Sequence, residues 1–378
     1  MVFGDYIMPD ESLATSGKRM LELDILRGFA MLVVVCSHTS SVAIENLRAG
    51  RAHFLVSMLQ SSFNFSVPVF FIVGALLSAY GVAEHKLAVW PYYKKKLIRL
   101  LLPYLAWTFL YIAFNLLTER INSTALQSAD NWVKWITQGR AYDHLYYLIV
   151  ISQFHLLFPL LIKLARLVKD RPLWTFIIVF GGHNIVYWLN KLWLYKAWPY
   201  FQSSFFWHFS IFFLGLYLGL NYKKVCVWVD KHVKLLAAIS VVSGAGFLLF
   251  RYLLYVDIPY HSYFYYTVRL VYVTCFPLFL LTLARIWRVL QGVVGRALLW
   301  IGRYSLGIYL AHPMLNHYLR QWVTSRSVIV LFFICAAAVA VYIVICGFVT
   351  KFLEKFRPTA WLVGAKASGK HVEKSFKL

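Results

Sequence analysis

Arg27 and His38 share one apolar stretch, Asp24-Ile25-Leu26-Arg27-Gly28-Phe29-Ala30-Met31-Leu32-Val33-Val34-Val35-Cys36-Ser37-His38. An imidazole can take a proton from a hydroxyl or accept an acyl group, and a guanidinium can hold a phosphate or a carboxylate. In a helix, the eleven steps between them give roughly 1100° of rotation, three turns plus about 20°, and a rise of about 16 Å. Both side chains therefore leave the helix on the same side. A charged arginine inside a bilayer costs at least about 2.5–3.5 kcal/mol on insertion scales, so something in the bundle must offset it.

Taken singly, each residue has a structural explanation. Arg27 would reach to the headgroups with Asp24, one turn earlier, as its ion-pair partner, and His38 would make a polar contact between helices. Taken together on one stripe, they describe a polar path from the membrane surface to the bilayer interior. The expectation is that they line a single water-accessible tunnel.

The elements that position them are membrane helices. The chain has 378 residues, 61% of them hydrophobic, 18% aromatic and 14% charged, with a mean hydropathy of +0.64. A water-soluble domain of this size has no way to hide so much apolar surface, which predicts an all-α polytopic membrane protein. The net charge of +23 comes with no nucleic-acid motif and reads as basic loops facing anionic lipid. Cys36, Cys226, Cys275, Cys335 and Cys346 are scattered without metal-ligand spacing, so no metal is expected.

Apolar windows predict about ten spans, at residues 22–44, 61–82, 97–118, 145–165, 173–190, 203–221, 233–254, 263–284, 298–318 and 327–350. Counting residues at the span ends, 26 Lys and Arg fall on the side of the N-terminus and 10 on the other, which predicts cytoplasmic termini. Lys18 and Arg19 precede the first span without a convincing cleavage site after it, so that span is expected to stay as an anchor. The expected organisation is a cytoplasmic segment at 1–21, a transmembrane domain at 22–352 and a basic cytoplasmic tail at 353–378.

Leu23-Asp24-Ile25-Leu26-Arg27-Gly28-Phe29-Ala30 followed by His38 resembles the first helix of the membrane acyltransferase-3 family, in which ten residues separate an arginine and a histidine. Further segments carry the resemblance along the chain. Val67-Pro68-Val69-Phe70-Phe71-Ile72-Val73-Gly74 is similar to the family's Phe-Phe-x-x-Ser-Gly-Phe segment, with Val73 in place of the serine and Gly74 expected at a close helix contact. His144-Leu145-Tyr146-Tyr147-Leu148 stands where relatives show His-Leu-Trp-Phe-Leu, and Phe212-Phe213-Leu214-Gly215 fits a packing motif. Gly302-Arg303-Tyr304-Ser305-Leu306-Gly307-Ile308-Tyr309-Leu310-Ala311-His312-Pro313 matches a late segment ending in His-Pro.

The resemblance implies an integral membrane enzyme of the cell envelope, expected in a bacterial cytoplasmic membrane. It would move an acyl group, most simply acetyl from acetyl-CoA, onto a hydroxyl of a carbohydrate or glycolipid. Lys96 and Arg99, three apart at the inner end of a span, match a basic pair that the family is thought to set against the donor's phosphates. Asp24, Arg27, Lys96 and Arg99 would thus bind acyl-CoA, and His38 would act as general base or as a transient acyl carrier.

Arg269, deep in the eighth span, needs a counter-charge or a wet cavity, with Asp257 as a candidate partner. His312 and Tyr146 are further candidates. Tyr146, Tyr147, Trp132 and Trp135 also read as an interfacial aromatic belt, and His183, Asn184 and His208 as polar contacts between helices. A rival reading from a different class is a transporter or flippase for a polysaccharide or lipid intermediate, since polar stripes also line permeation paths.

Overall fold

The computed structural model describes residues 20–364 apart from 199 and 291; the expected N-terminal segment, with Lys18 and Arg19, and the end of the basic tail lie outside the described residues. Among the described residues the regular structure is entirely helical. Helix α1 (Leu21–Asn46) carries Glu22 and Asp24 in its first turn, where carboxylates oppose the positive end of the helix dipole. At 26 residues it is about 39 Å long, enough to cross a bilayer.

The next crossing is broken. Helix α2 (Arg51–Ser62) passes through a 3₁₀ turn (Phe63–Phe65) into α3 (Ser66–Tyr80). Pro68 has no N–H to offer the carbonyl of Asn64, four residues earlier, so the chain is predisposed to restart its helix here. The break points the Asn64 side chain at a neighbouring helix instead of at lipid.

There follow α4 (Val89–Leu117), a 3₁₀ turn (Ser123–Gln127), α5 (Ala129–Gln138), α6 (Tyr146–Val168) and α7 (Pro172–Leu189). A π-turn (Asn190–Leu194) joins α7 to the single turn α8 (Tyr195–Ala197). The second half holds α9 (Phe209–Leu220), α10 (Tyr222–Lys231), α11 (Val233–Tyr255), α12 (Ser262–Leu290), α13 (Val293–Trp322), α14 (Val328–Lys355) and the short α15 (Arg357–Ala360).

Among the described residues, eight helical segments are long and apolar enough to cross a membrane: Leu21–Asn46, Arg51–Tyr80, Val89–Leu117, Tyr146–Val168, Pro172–Ala197, Val233–Tyr255, Ser262–Arg288 and Val328–Lys355. The other two expected spans are helices of a different kind. Phe206–Leu220 is short, and α13 is 30 residues long but interrupts its apolar run with Arg296, Arg303 and Arg320.

α1 is the axis of the bundle. Ile25, Ala30, Met31 and Val35 are fully buried, and α12, α13, α14 and α3 surround it. Its tightest neighbour is α13. A Cβ on Gly28 would lie 1.9 Å from the Leu298 carbonyl oxygen, and a Cβ on Gly302 would lie 1.9 Å from that of Asp24. The two glycines thus let the backbones touch, the small-residue contact by which membrane helices gain close packing.

A second seam joins α9 to α3, where Cβ atoms on Gly215 and Gly219 would meet the carbonyls of Ile72 and Leu76 at 2.6 and 2.3 Å. Gly74 is not the close contact expected of it, since its nearest neighbour, a methyl of Ile151, sits at an ordinary 3.4 Å. The outer surface of α14 presents Phe332, Phe333, Val341 and Val344. Such exposed apolar residues suit contact with lipid tails.

The start of the expected polar tail is packed structure. After α15 a 3₁₀ turn (Trp361–Val363) docks on α4, where the indole of Trp107 donates to the Leu362 carbonyl at 3.0 Å. Ala360 and Val363 are buried there.

Beneath α1, Glu22 is buried and accepts from the Tyr222 hydroxyl at 2.8 Å and from the Arg288 guanidinium at 3.3 Å. Nothing in the local sequence marked it, because both partners come from distant helices. Glu22→Gln should weaken both bonds while keeping the shape. A loss of about 1–3 kcal/mol in unfolding free energy is expected in detergent, with a smaller loss for Tyr222→Phe. Unchanged stability in Glu22→Gln would show the pair to be dispensable.

Candidate active site

His38 lies in the C-terminal half of α1, about 26 Å from the helix start if measured along the axis. It stands on the wall of a half-open cavity of about 480 Å³ that α1, the α2–α3 break, α6, α11, α12 and α13 line. Ser37, Ser41, Gln60 and Asn64 give the wall its hydroxyl and amide groups. This size is within the usual range for small-molecule sites, while the wall is more polar than most of them.

The backbone around His38 is held from two sides. Gln60 donates to the Ser37 carbonyl at 2.9 Å, and Asn316 donates to the His38 carbonyl at 3.1 Å. The imidazole packs against a second one, since the ring centres of His38 and His312 are 5.1 Å apart. His312 is fully buried, and its Nδ1–H donates to the Ile308 carbonyl at 2.9 Å, which leaves Nε2 as a bare acceptor.

A third imidazole, His144, stands 6.2 Å from His312 and is buried as well. The Tyr309 hydroxyl donates to the His144 carbonyl at 2.6 Å, and that of Tyr111 donates to the Leu310 carbonyl at 2.6 Å. Asp143 lies within electrostatic range of His38. Three imidazoles from α1, α13 and the segment before α6 therefore form one buried group with one member at the cavity wall.

Arg27 is placed differently. It pairs with Asp24 one turn away, and 30% of its side-chain surface remains accessible, against 2% for Asp24. It is not among the residues that line the His38 cavity. The link between the two is a pair of adjacent tyrosines at the start of α6. Tyr147 is within electrostatic range of Arg27, and Tyr146 lines the cavity. Tyr147 stacks on Phe71, with ring centres 5.2 Å apart, and packs at the same distance on Tyr309. Trp135 is buried, with its carbonyl accepting from the Tyr104 hydroxyl at 2.8 Å. Trp135, Tyr146 and Tyr147 are thus engaged inside the bundle rather than in a belt at its surface.

Lys96 and Arg99 are half-buried on α4. Lys96 is within electrostatic range of His155 on α6, whose Nδ1 is 2.6 Å from the Tyr92 hydroxyl. Arg269 also lines the cavity. Its Nε donates to the Asn64 Oδ1 at 2.6 Å, so the partner is an amide exposed by the α2–α3 break and not Asp257. Sequence reading missed His144, Arg251 and Arg320. His144 stood inside a motif that had been read for its tyrosines, and the two arginines are far apart in the chain.

The sequence profile described as "Acyltransferase domain" (Acyl_transf_3) matches residues 20–348. The chain belongs to the acyltransferase-3 family. Among curated proteins, this family member is similar to one from Staphylococcus epidermidis named "Probable poly-beta-1,6-N-acetyl-D-glucosamine export protein". The two are 23% identical over 313 residues, covering 79% of this chain and 81% of the relative. Proteins with the same name from Staphylococcus aureus strains MRSA252 and Mu50 are 21% and 22% identical over 309 residues, covering 79% of this chain and 83% of theirs. No solved structure gives a significant match to this acyltransferase-3 chain.

Proposed function

We propose that this protein transfers an acyl group, most simply acetyl, from cytoplasmic acyl-CoA to a hydroxyl of an envelope carbohydrate or glycolipid. Both termini are taken as cytoplasmic and residues 22–352 as the catalytic domain. The observation that carries this reading is the imidazole of His38 at the wall of a polar cavity, backed by His312 at 5.1 Å.

In this scheme Arg27, Lys96 and Arg99 hold donor phosphates at the inner face, Asp24 orients Arg27, and the thioester arm extends toward His38. An acceptor hydroxyl in the cavity gives its proton to His38 as its oxygen attacks the thioester carbonyl. The C–S bond then breaks, and the thiolate leaves as CoA–SH after recovering that proton. In a variant of the scheme the acyl group rests on His38 before it moves on; radiolabel retained by the protein without acceptor would select this route.

Arg27→Ala and Arg99→Ala should each raise the Michaelis constant for acyl-CoA by about 10-fold or more, since a hydrogen bond to a charged group is worth about 1.5–3 kcal/mol. Steady-state transfer assays on protein in lipid vesicles measure this, and an unchanged constant in both variants removes the phosphate role.

The wording of the relatives' names supports a second reading, export of a polysaccharide. Vesicle assays separate the two. Acyl-CoA consumption with acylated acceptor supports transfer, whereas acceptor movement without acyl-CoA consumption supports export.

A further inference from the structure

We infer that the ligand taken up in the His38 cavity carries an oxyanion, a phosphate or a carboxylate on the acceptor carbohydrate. The inference rests on the transferase reading for the word acceptor, but the charge argument stands on the cavity alone. Three arginines from three helices line it: Arg251 of α11, Arg269 of α12 and Arg320 of α13. No aspartate or glutamate is among its lining residues.

The hydrogen bonds of Arg251 and Arg269 leave their terminal nitrogens open. Arg251 uses Nε to donate to the Ser61 hydroxyl at 3.2 Å, and Arg269 uses Nε toward Asn64. Both partners are neutral, and among the described residues neither guanidinium has a carboxylate within ion-pair distance. Arg320 alone has one, Glu45 at 3.0 Å, while it also donates to Ser41 at 2.9 Å.

With Nε satisfied, the terminal nitrogens of Arg251 and Arg269 remain to clamp an oxyanion, the geometry for which arginine is suited. Half-buried guanidiniums near lipid are expensive unless a counter-charge arrives. A neutral N-acetylhexosamine would supply none. The serine and amide groups of the wall would meet the sugar hydroxyls, which places one of these near the His38 imidazole.

The test is a binding titration without acyl donor, so its failure leaves the transferase reading untouched. Full-length protein in phosphatidylcholine nanodiscs would be titrated with N-acetylglucosamine 1-phosphate, glucuronic acid, inorganic phosphate and neutral N-acetylglucosamine. A charged sugar should bind about 10-fold or more tightly than the neutral one, and added salt should erode that advantage. Arg251→Gln and Arg269→Gln should each remove most of the preference, read in each variant as the ratio of its affinity for the charged sugar to that for the neutral one.

Competition by phosphatidylglycerol in the nanodisc would identify a lipid-borne phosphate as the source of the anion, and its absence a water-soluble one; either is compatible with the inference. Equal affinity for charged and neutral sugars would overturn it. So would a charge preference that survives in both glutamine variants at unaltered melting temperature, or one that Arg27→Gln abolishes instead.

Discussion

Acyl transfer in His38→Ala should fall by about 10²–10⁴-fold while acyl-CoA binding stays near the wild-type level, the loss expected when a general base is removed. Among the described histidines, His312 and His144 are buried behind it, and His38 and His208 are the two that reach the cavity wall. His208 packs on Phe71, with ring centres 4.8 Å apart. His38→Gln should be almost as inactive, because an amide keeps a hydrogen bond but takes no proton. Radiometric transfer by reconstituted protein decides the matter, and full activity in either variant would exclude His38 from the chemistry. His312→Ala tests the support behind it. If the Nδ1–H bond to Ile308 fixes the ring that His38 leans on, kcat should drop with little change in KM.

Gly28→Ala should destabilise the protein more than any single surface change. The new methyl would start 1.9 Å from the Leu298 oxygen and 3.1 Å from the Gly302 nitrogen, both backbone atoms without the freedom of a side chain. Relief requires α1 and α13 to part, and the contacts along their seam loosen together. A cost of about 3 kcal/mol or more is expected, at the upper end of overpacking penalties. Gly302→Ala presses on the Asp24 carbonyl in the same way and should behave alike. Gly181→Ala is the control, since a Cβ there meets nothing within 4 Å. Melting curves of the three variants in one detergent test the claim; an unshifted midpoint for Gly28→Ala would contradict it.

The hydrophobic skeleton was readable because bilayer thickness fixes span length, so helices such as α1 and α14 fall close to the windows predicted for 22–44 and 327–350. The α2–α3 crossing begins ten residues before its window, at Arg51, because its first three turns carry Arg51, His53, Ser57 and Gln60 instead of an unbroken apolar run. The site was readable only where chemistry lay within one helix. The pairing of Arg27 with Asp24 follows from 3.6 residues per turn, whereas the single tunnel expected to join Arg27 to His38 does not, since Arg27 is not among the residues that line the His38 cavity.

Interactions that join distant helices left no such trace. Neither the neighbouring rings of His38 and His312, nor the turn of Arg269 to Asn64, nor the meeting of three arginines in one cavity has a sequence period. The glycines were visible, but which of them touches a facing backbone depends on crossing geometry. Gly74, set in a motif, has ordinary space, whereas Gly28 beside Arg27 has none.

The seam of Gly28 and Gly302 also bears on how such a molecule can work while in motion. Two helices seized backbone to backbone behave as a fixed axle, so any gating cycle has to swing peripheral helices around that axle. A rocking carrier that split the bundle along it would have to break its tightest joint at every turnover. Reagents that lock α1 to α13 should therefore leave turnover intact, and reagents that lock the outer helices to that pair should stall it.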